Sequence, residues 1–193
     1  MEVANSSEIK EMFLRTGSQI IVDCRGETYL RSFSDIIREL TKEQGRRGIL
    51  ISTLWSANAL SRRISLSKLP NESLKVIDTL SLSLGSAPPK GDDFVFLPTP
   101  VSLESILMGV EKLLITQKGG FNFLIIDSLS IMSKNYTTAR MSEFFHFLLN
   151  RMLEEEMLVI MFDQGVEEGS TISKEISSFI DETVIITEGG DKK

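Results

Sequence analysis

Gly119-Gly120-Phe121-Asn122-Phe123-Leu124-Ile125-Ile126-Asp127-Ser128-Leu129-Ser130 is an apolar run that stops abruptly on an acid and two hydroxyls. Five of the six residues from Phe121 to Ile126 are apolar. The run is too short for a helix, and its glycine and polar boundaries suit a strand covered on both faces. Ligands of open parallel sheets bind at the carboxyl ends of such strands, so this strand delivers Asp127 to a functional edge.

The same alternation continues on both sides. Upstream, Ser18–Cys24, Gly48–Thr53, Leu74–Leu80 and Phe94–Leu97 read as strands. Between the first two, Leu30, Phe33, Ile36, Ile37 and Leu40 fall on one helical stripe that stops near Gly45. Ser56 is placed to cap a helix carrying Ala57, Leu60 and Ile64, and Ser102 opens one carrying Leu103, Ile106, Leu107, Val110, Leu113 and Leu114. Ser81–Asp93 loses periodicity, collects Gly85, Pro88, Pro89 and Gly91, and reads as a surface loop. Downstream, a polar connection from Ser130 leads to Thr138 and a helix with Met141, Phe144, Phe145, Leu148, Leu149 and Met152 on its stripe. Met157–Phe162, a short helix over Ser170–Phe179, and a last strand over Asp181–Thr187 complete the chain. Residues 1–17 form a helical leader with Ile9, Met12 and Phe13, and residues 188–193 a polar tail. Strand and helix in alternation call for an α/β domain: three layers, α/β/α, around a mostly parallel sheet, in one domain over residues 1–193.

The bulk numbers exclude several classes. With 193 residues, 41% of them apolar and 25% charged, the chain can bury a core without staples. One cysteine, Cys24, and one histidine, His146, leave no material for disulfides or a cysteine zinc site, which fits a reducing, cytoplasmic setting. No apolar stretch approaches a membrane span. A net charge of −6 argues against a large nucleic-acid footprint, although Arg46, Arg47, Arg62 and Arg63 form a local basic cluster. No Ser/His/Asp or Cys/His set is spaced for nucleophilic catalysis, and His146 on a helix flank reads as structure.

From about residue 18 to 187 this order of elements resembles the RecA-like P-loop NTPase core, with KaiC-like and RadA-like proteins of archaea as the nearest likeness. The residues that carry it are Phe123 to Ser130, similar to that family's Walker B strand and following serine; Val159 to Gln164, similar to its next strand with a polar sensor; and Asp181 to Ile186, similar to its closing acid-then-strand segment. The resemblance implies ATP, magnesium and a phosphate loop G-x-x-x-x-G-K-[ST] after the first strand, whose N–H groups wrap the phosphates. At that place stand Asp23-Cys24-Arg25-Gly26-Glu27-Thr28. Aligning Gly26-Glu27-Thr28 with Gly-Lys-Thr puts a glutamate where the lysine belongs, with no upstream glycine. Two acids, Asp23 and Glu27, then face an anion with Arg25 alone against them, at a cost on the order of several kcal/mol in a partly desolvated site. The water-activating acid that the resemblance implies after the second strand is also missing from Ile51–Asn58.

Gly26, Thr28 and Asp127 are therefore expected as a vestigial nucleotide site, with no catalytic residue, no metal and no cofactor. Asp127 is either a leftover magnesium-shell acid or a cap for the turn that follows it. Thr28 either touches a metal or caps the helix near Leu30; Gln164 either senses phosphate or satisfies a strand end. Trp55 either stacks on a base or packs under the Ser81–Asp93 loop. The expected function is that of a catalytically inactive RecA/KaiC-like domain acting by protein–protein interaction or regulation, through a protein partner or self-association, with Arg62 and Arg63 as interface candidates. The alternative is an atypical ATPase that holds ATP and magnesium through Arg25 and the helix N-terminus near Thr28. DNA association through the arginines is the third reading.

Overall fold

The computed structural model describes residue 11 and residues 15–24, 26–42, 45–86, 89, 91–117, 120–164 and 171–186. The expected leader residues Ile9, Met12 and Phe13, as well as Arg25, Pro88, Gly119, Ser170 and the tail from Thr187 onward, lie outside the described residues.

The apolar runs form seven strands: β1 (Gln19–Cys24), β2 (Gly48–Ser52), β3 (Leu74–Asp78), β4 (Phe94–Phe96), β5 (Phe123–Ile126), β6 (Leu158–Asp163) and β7 (Glu182–Ile186). They make one sheet in the order β4-β3-β2-β5-β6-β1-β7, with every pairing parallel. The helices are α1 (Glu27–Lys42), α2 (Ala57–Arg63), α3 (Leu103–Thr116), α4 (Leu129–Asn135), α5 (Thr138–Glu154) and α6 (Thr171–Glu175), with short 3-10 turns at Leu66–Lys68 and Ser177–Phe179.

The stretch from Phe123 to Ile126 lies at the centre of the sheet, each residue fully buried between β2 and β6. Its register against β2 sets Phe123 opposite Gly48. A methyl group on Gly48 would lie 1.9 Å from the Phe123 ring, so glycine is required there by close approach. Side chains alternate across the sheet, which explains why each strand reads as continuously apolar. Leu50, Phe123, Ile125, Ile160 and Phe162 face α1 and α2, whereas Ile49, Ile51, Leu124, Ile126, Val159 and Met161 face α3 to α6. The chain steps one way across the sheet from β1 to β4 and the other way from β4 to β7. Right-handed crossovers therefore put α1 and α2 on one face and α3, α5 and α6 on the other.

Four expectations change. The polar connection after Ser130 is largely the helix α4, held by buried Leu129 and Met132 and capped by Ser128, whose Oγ accepts from Ile131 N at 3.2 Å. Its seven residues are too few to display a period. Helix α1 begins at Glu27, three residues before its first stripe residue, so Thr28 lies inside the helix at its second position and not at a capping site. Strand β3 ends at Asp78, because the Asp78 carboxylate takes the N–H groups of Leu80 and Ser81 at 2.8 and 2.7 Å and turns the chain. Ser56 occupies the N-cap of α2 without a side-chain bond. Asp78 Oδ2 takes Ala57 N instead, at 2.5 Å. By contrast, Ser102 caps α3 in a reciprocal box with Ser105, as its position predicts.

Candidate functional site at the carboxyl edge of the sheet

Outgoing crossovers diverge between β2 and β5, which makes their carboxyl ends the switch point at which a crevice opens in folds of this type. Asp127 stands at that point, fully buried. Its Oδ1 accepts from Thr53 N at 2.8 Å and Thr53 Oγ1 at 2.7 Å; its Oδ2 accepts from Ser52 Oγ at 2.9 Å and Leu54 N at 3.1 Å. The carboxylate clasps the loop that leaves β2. It does not cap its own following turn, a task that falls to Ser128. Burial pushes the Asp127 carboxyl above its ordinary pKa, and the four donors pull against that shift.

Only residues 25 and 26 separate the end of β1 from the start of α1. Gly26 adopts φ +60°, the left-handed turn that such a tight passage requires. A G-x-x-x-x-G spacing ending at Gly26 would place its first glycine at Ile21. That residue is buried in β1, paired with Met161 and Thr183.

The first turn of α1 then presents Tyr29. Its hydroxyl donates to the carbonyl oxygen of Asp127 at 2.6 Å, and Gln164 also hydrogen-bonds it. The ring joins Phe33, Trp55 and Phe162 in a cluster with centroid separations of 5.1 to 5.8 Å. Burial, followed by the nearby Asp127 carboxylate, drives the Tyr29 phenol well above its ordinary pKa. Burial also pushes the Cys24 thiol, at the end of β1, up to about 12, helped by the carboxylates of Asp23 and Asp163. Asp163, at the end of β6, accepts a hydrogen bond from Ser130 Oγ.

The structure thus brings Asp127 and Gln164 to one edge and joins both to Tyr29. Trp55 packs on α1. Asp127 holds Thr53 and Leu54 by their amides, and the turn so fixed aims the indole at Tyr29 and Phe33, with the Arg63 guanidinium 5.4 Å from its ring. Arg47, Arg62 and Arg63 of the basic cluster have partners within the protein. Arg47 donates to Gln117 Oε1 at 2.7 Å and lies over Phe121; Arg62 donates back to Asn58 O within its own helix. His146 is exposed on α5, its ring edge-on to Phe179 at 5.3 Å. Among the described residues no three His, Cys, Asp or Glu side chains are grouped to hold a metal ion, and no helix is long and apolar enough to cross a membrane.

Sequence reasoning missed Asp78 and Tyr29. Asp78 had a readable signal, since it ends an apolar strand just as Asp127 does. Tyr29 had none, because nothing local indicates that its hydroxyl meets a carbonyl 98 residues away.

No protein-family model matches the chain, and no curated protein matches it by sequence. Solved structures do match it. A KaiC-like protein of the hyperthermophilic archaeon Pyrococcus horikoshii superposes with a TM-score of 0.60 at 14% identity, covering 88% of this chain and 71% of that one. An uncharacterized protein of the same organism, crystallised in complex with an unknown peptide, superposes with a TM-score of 0.65 at 14% identity, covering 89% of this chain and 78% of that one. With its all-parallel seven-stranded sheet and helices on both faces, the chain has the RecA-like, KaiC-like three-layer α/β/α fold.

Proposed function

We propose that this chain is a RecA/KaiC-like domain that has given up nucleotide hydrolysis and acts by binding protein. The observation that carries this reading is the two-residue passage from β1 into α1. A phosphate loop surrounds its anion with successive backbone N–H groups between two glycines that have four residues between them. Here that interval falls on β1 itself, whose backbone is taken up in parallel pairing with β6 and β7. Glu27 stands at the lysine position, and Ile51–Asn58 contains no acid to orient water. Gly26, Thr28 and Asp127 remain as the vestige of a nucleotide site. Each Asp127 oxygen already holds two donors, so recruiting this carboxylate to a magnesium shell means releasing the Ser52–Leu54 loop.

Support for a protein partner is of a different kind. One structural neighbour was crystallised with a peptide. In this chain Met108, Ile115, Phe147 and Leu153 on α3 and α5 stay exposed.

Calorimetric titration with Mg-ATP tests the first half of the proposal. No saturable heat is expected at millimolar nucleotide; micromolar binding displaced by ADP would overturn it in favour of an ATPase with an atypical site. Sedimentation and affinity capture test the second half, with concentration-dependent self-association or one stoichiometric partner expected. A strictly monomeric chain that captures nothing, yet shifts DNA in a salt-sensitive way, would replace protein binding with nucleic-acid binding.

A further inference from the structure

On the face of the sheet away from α1, the chain leaving β2 and β3 meets α3 and α4 around a cleft of about 280 Å³. Its floor and walls include Ile106, Met132, Val101 and Leu80. Its polar lining is the hydroxyls of Thr53, Thr79, Ser83 and Tyr136 and the carboxamide of Asn135.

The hydroxyls of Thr53, Thr79 and Tyr136 have committed their one proton to the protein. Thr53 Oγ1 donates to Asp127 Oδ1 at 2.7 Å, Thr79 Oγ1 to Ser52 O at 2.9 Å, and Tyr136 OH to Val101 O at 3.0 Å. A hydroxyl carries one donor and two acceptor sites, so what these three leave for an occupant is lone pairs, whereas Ser83 and Asn135 each offer an acceptor oxygen as well as donors. Burial raises the Tyr136 pKa, so the phenol keeps its proton and goes on donating at neutral pH. The charge behind Thr53 and Leu80 has the same sense. Asp127 lies directly behind Thr53, and Asp78 lies behind Leu80, whose N–H it accepts at 2.8 Å. Both carboxylates are buried, and no lysine or arginine is among the lining residues.

We propose that this cleft binds a small organic cation, a primary ammonium on a short apolar chain. The ammonium supplies three N–H donors to the hydroxyl lone pairs, and the chain lies against Ile106, Met132 and Val101. Anions are disfavoured by the two buried carboxylates behind Thr53 and Leu80. The volume, at the lower limit of ordinary ligand sites, sets the size class. This site is independent of the phosphate-loop region and of the protein-binding reading, since it uses neither.

The test is a heteronuclear NMR titration of the full chain with three probes of matched shape at constant ionic strength: n-butylammonium, butyrate and n-butyltrimethylammonium. With n-butylammonium, saturable shifts are expected at the Thr53, Thr79 and Leu80 amides, with a Kd on the order of 1 mM for so small a ligand. Neither other probe should saturate, because butyrate carries the wrong sign and n-butyltrimethylammonium has charge without donors. Tyr136→Phe keeps the ring and removes one acceptor, so it should weaken n-butylammonium binding about tenfold while the rest of the spectrum stays folded. Thr79→Val is the second variant, with the same expectation. Equal response to n-butyltrimethylammonium or butyrate, no saturation by about 50 mM, or folded variants of unchanged affinity would each overturn the proposal.

Discussion

The two sides of the carboxyl edge use the same strand ends and reach opposite results. Toward α1, Tyr29, Phe33, Trp55 and Phe162 fill the space with interlocking rings. Toward α4, Thr53, Thr79 and Tyr136 turn their protons inward and leave a cleft open. Asp127 serves both sides, through its carbonyl oxygen for Tyr29 and through its carboxylate for Thr53. A strand end in this fold therefore has no binding property of its own. What the adjoining helix lays against it decides whether the edge is plugged or open.

The comparison breaks first at its shared member. Asp127→Ala would leave Ser52 Oγ, Thr53 N, Thr53 Oγ1 and Leu54 N facing an empty interior, at a cost of about 3–5 kcal/mol. Urea denaturation should show this as a large fall in midpoint, with Asp127→Asn in between. A loss below about 1 kcal/mol would mean that the two sides are not joined through this residue.

Next in size is an alkaline effect on the ring side. The folded Cys24 thiol holds its proton up to about 12 against an ordinary value of 9.0. Between those values the unfolded chain loses the proton and the folded chain keeps it, so stability falls as pH rises above 9.0 and is unaffected by this group below it. Three pH units correspond to about 4 kcal/mol. Chemical denaturation from pH 8 to 10 should show the onset of the slope, and Cys24→Ala should flatten it. A wild-type slope of zero there would place the thiol in a wetter setting than the core of β1.

The smallest effect is the sharpest comparison. Tyr29→Phe and Tyr136→Phe each delete one phenol that donates to a carbonyl. The loss is expected to be about 1 kcal/mol or more for Tyr29, whose bond is buried, and less for half-buried Tyr136, whose carbonyl partner can turn to water. Equal losses by thermal or urea denaturation would show the cleft side to be as dry as the ring side.

Most of the architecture was legible from the chain. Apolar runs of four to six residues named the strands, and their continuity gave burial on both faces and hence parallel pairing. Helix α4 was not legible, because seven residues with two buried apolar anchors carry no period. At the site, Asp127 was found by its position after Ile126, but its partners were misassigned. Sequence proximity suggested the following turn, whereas β2 lies beside β5 and brings Ser52–Leu54 closer.

Composition, periodicity and the end of each apolar run were enough to establish an alternating α/β chain and its acids at strand ends. These properties are local, since burial and turn chemistry act within a few residues. Tertiary structure alone decided that Asp127 holds a loop 74 residues away, that Tyr29 closes one side of the edge and that Tyr136 lines the other. Such contacts follow from strand order and crossover hand, which bring distant residues together and leave no local trace in either partner.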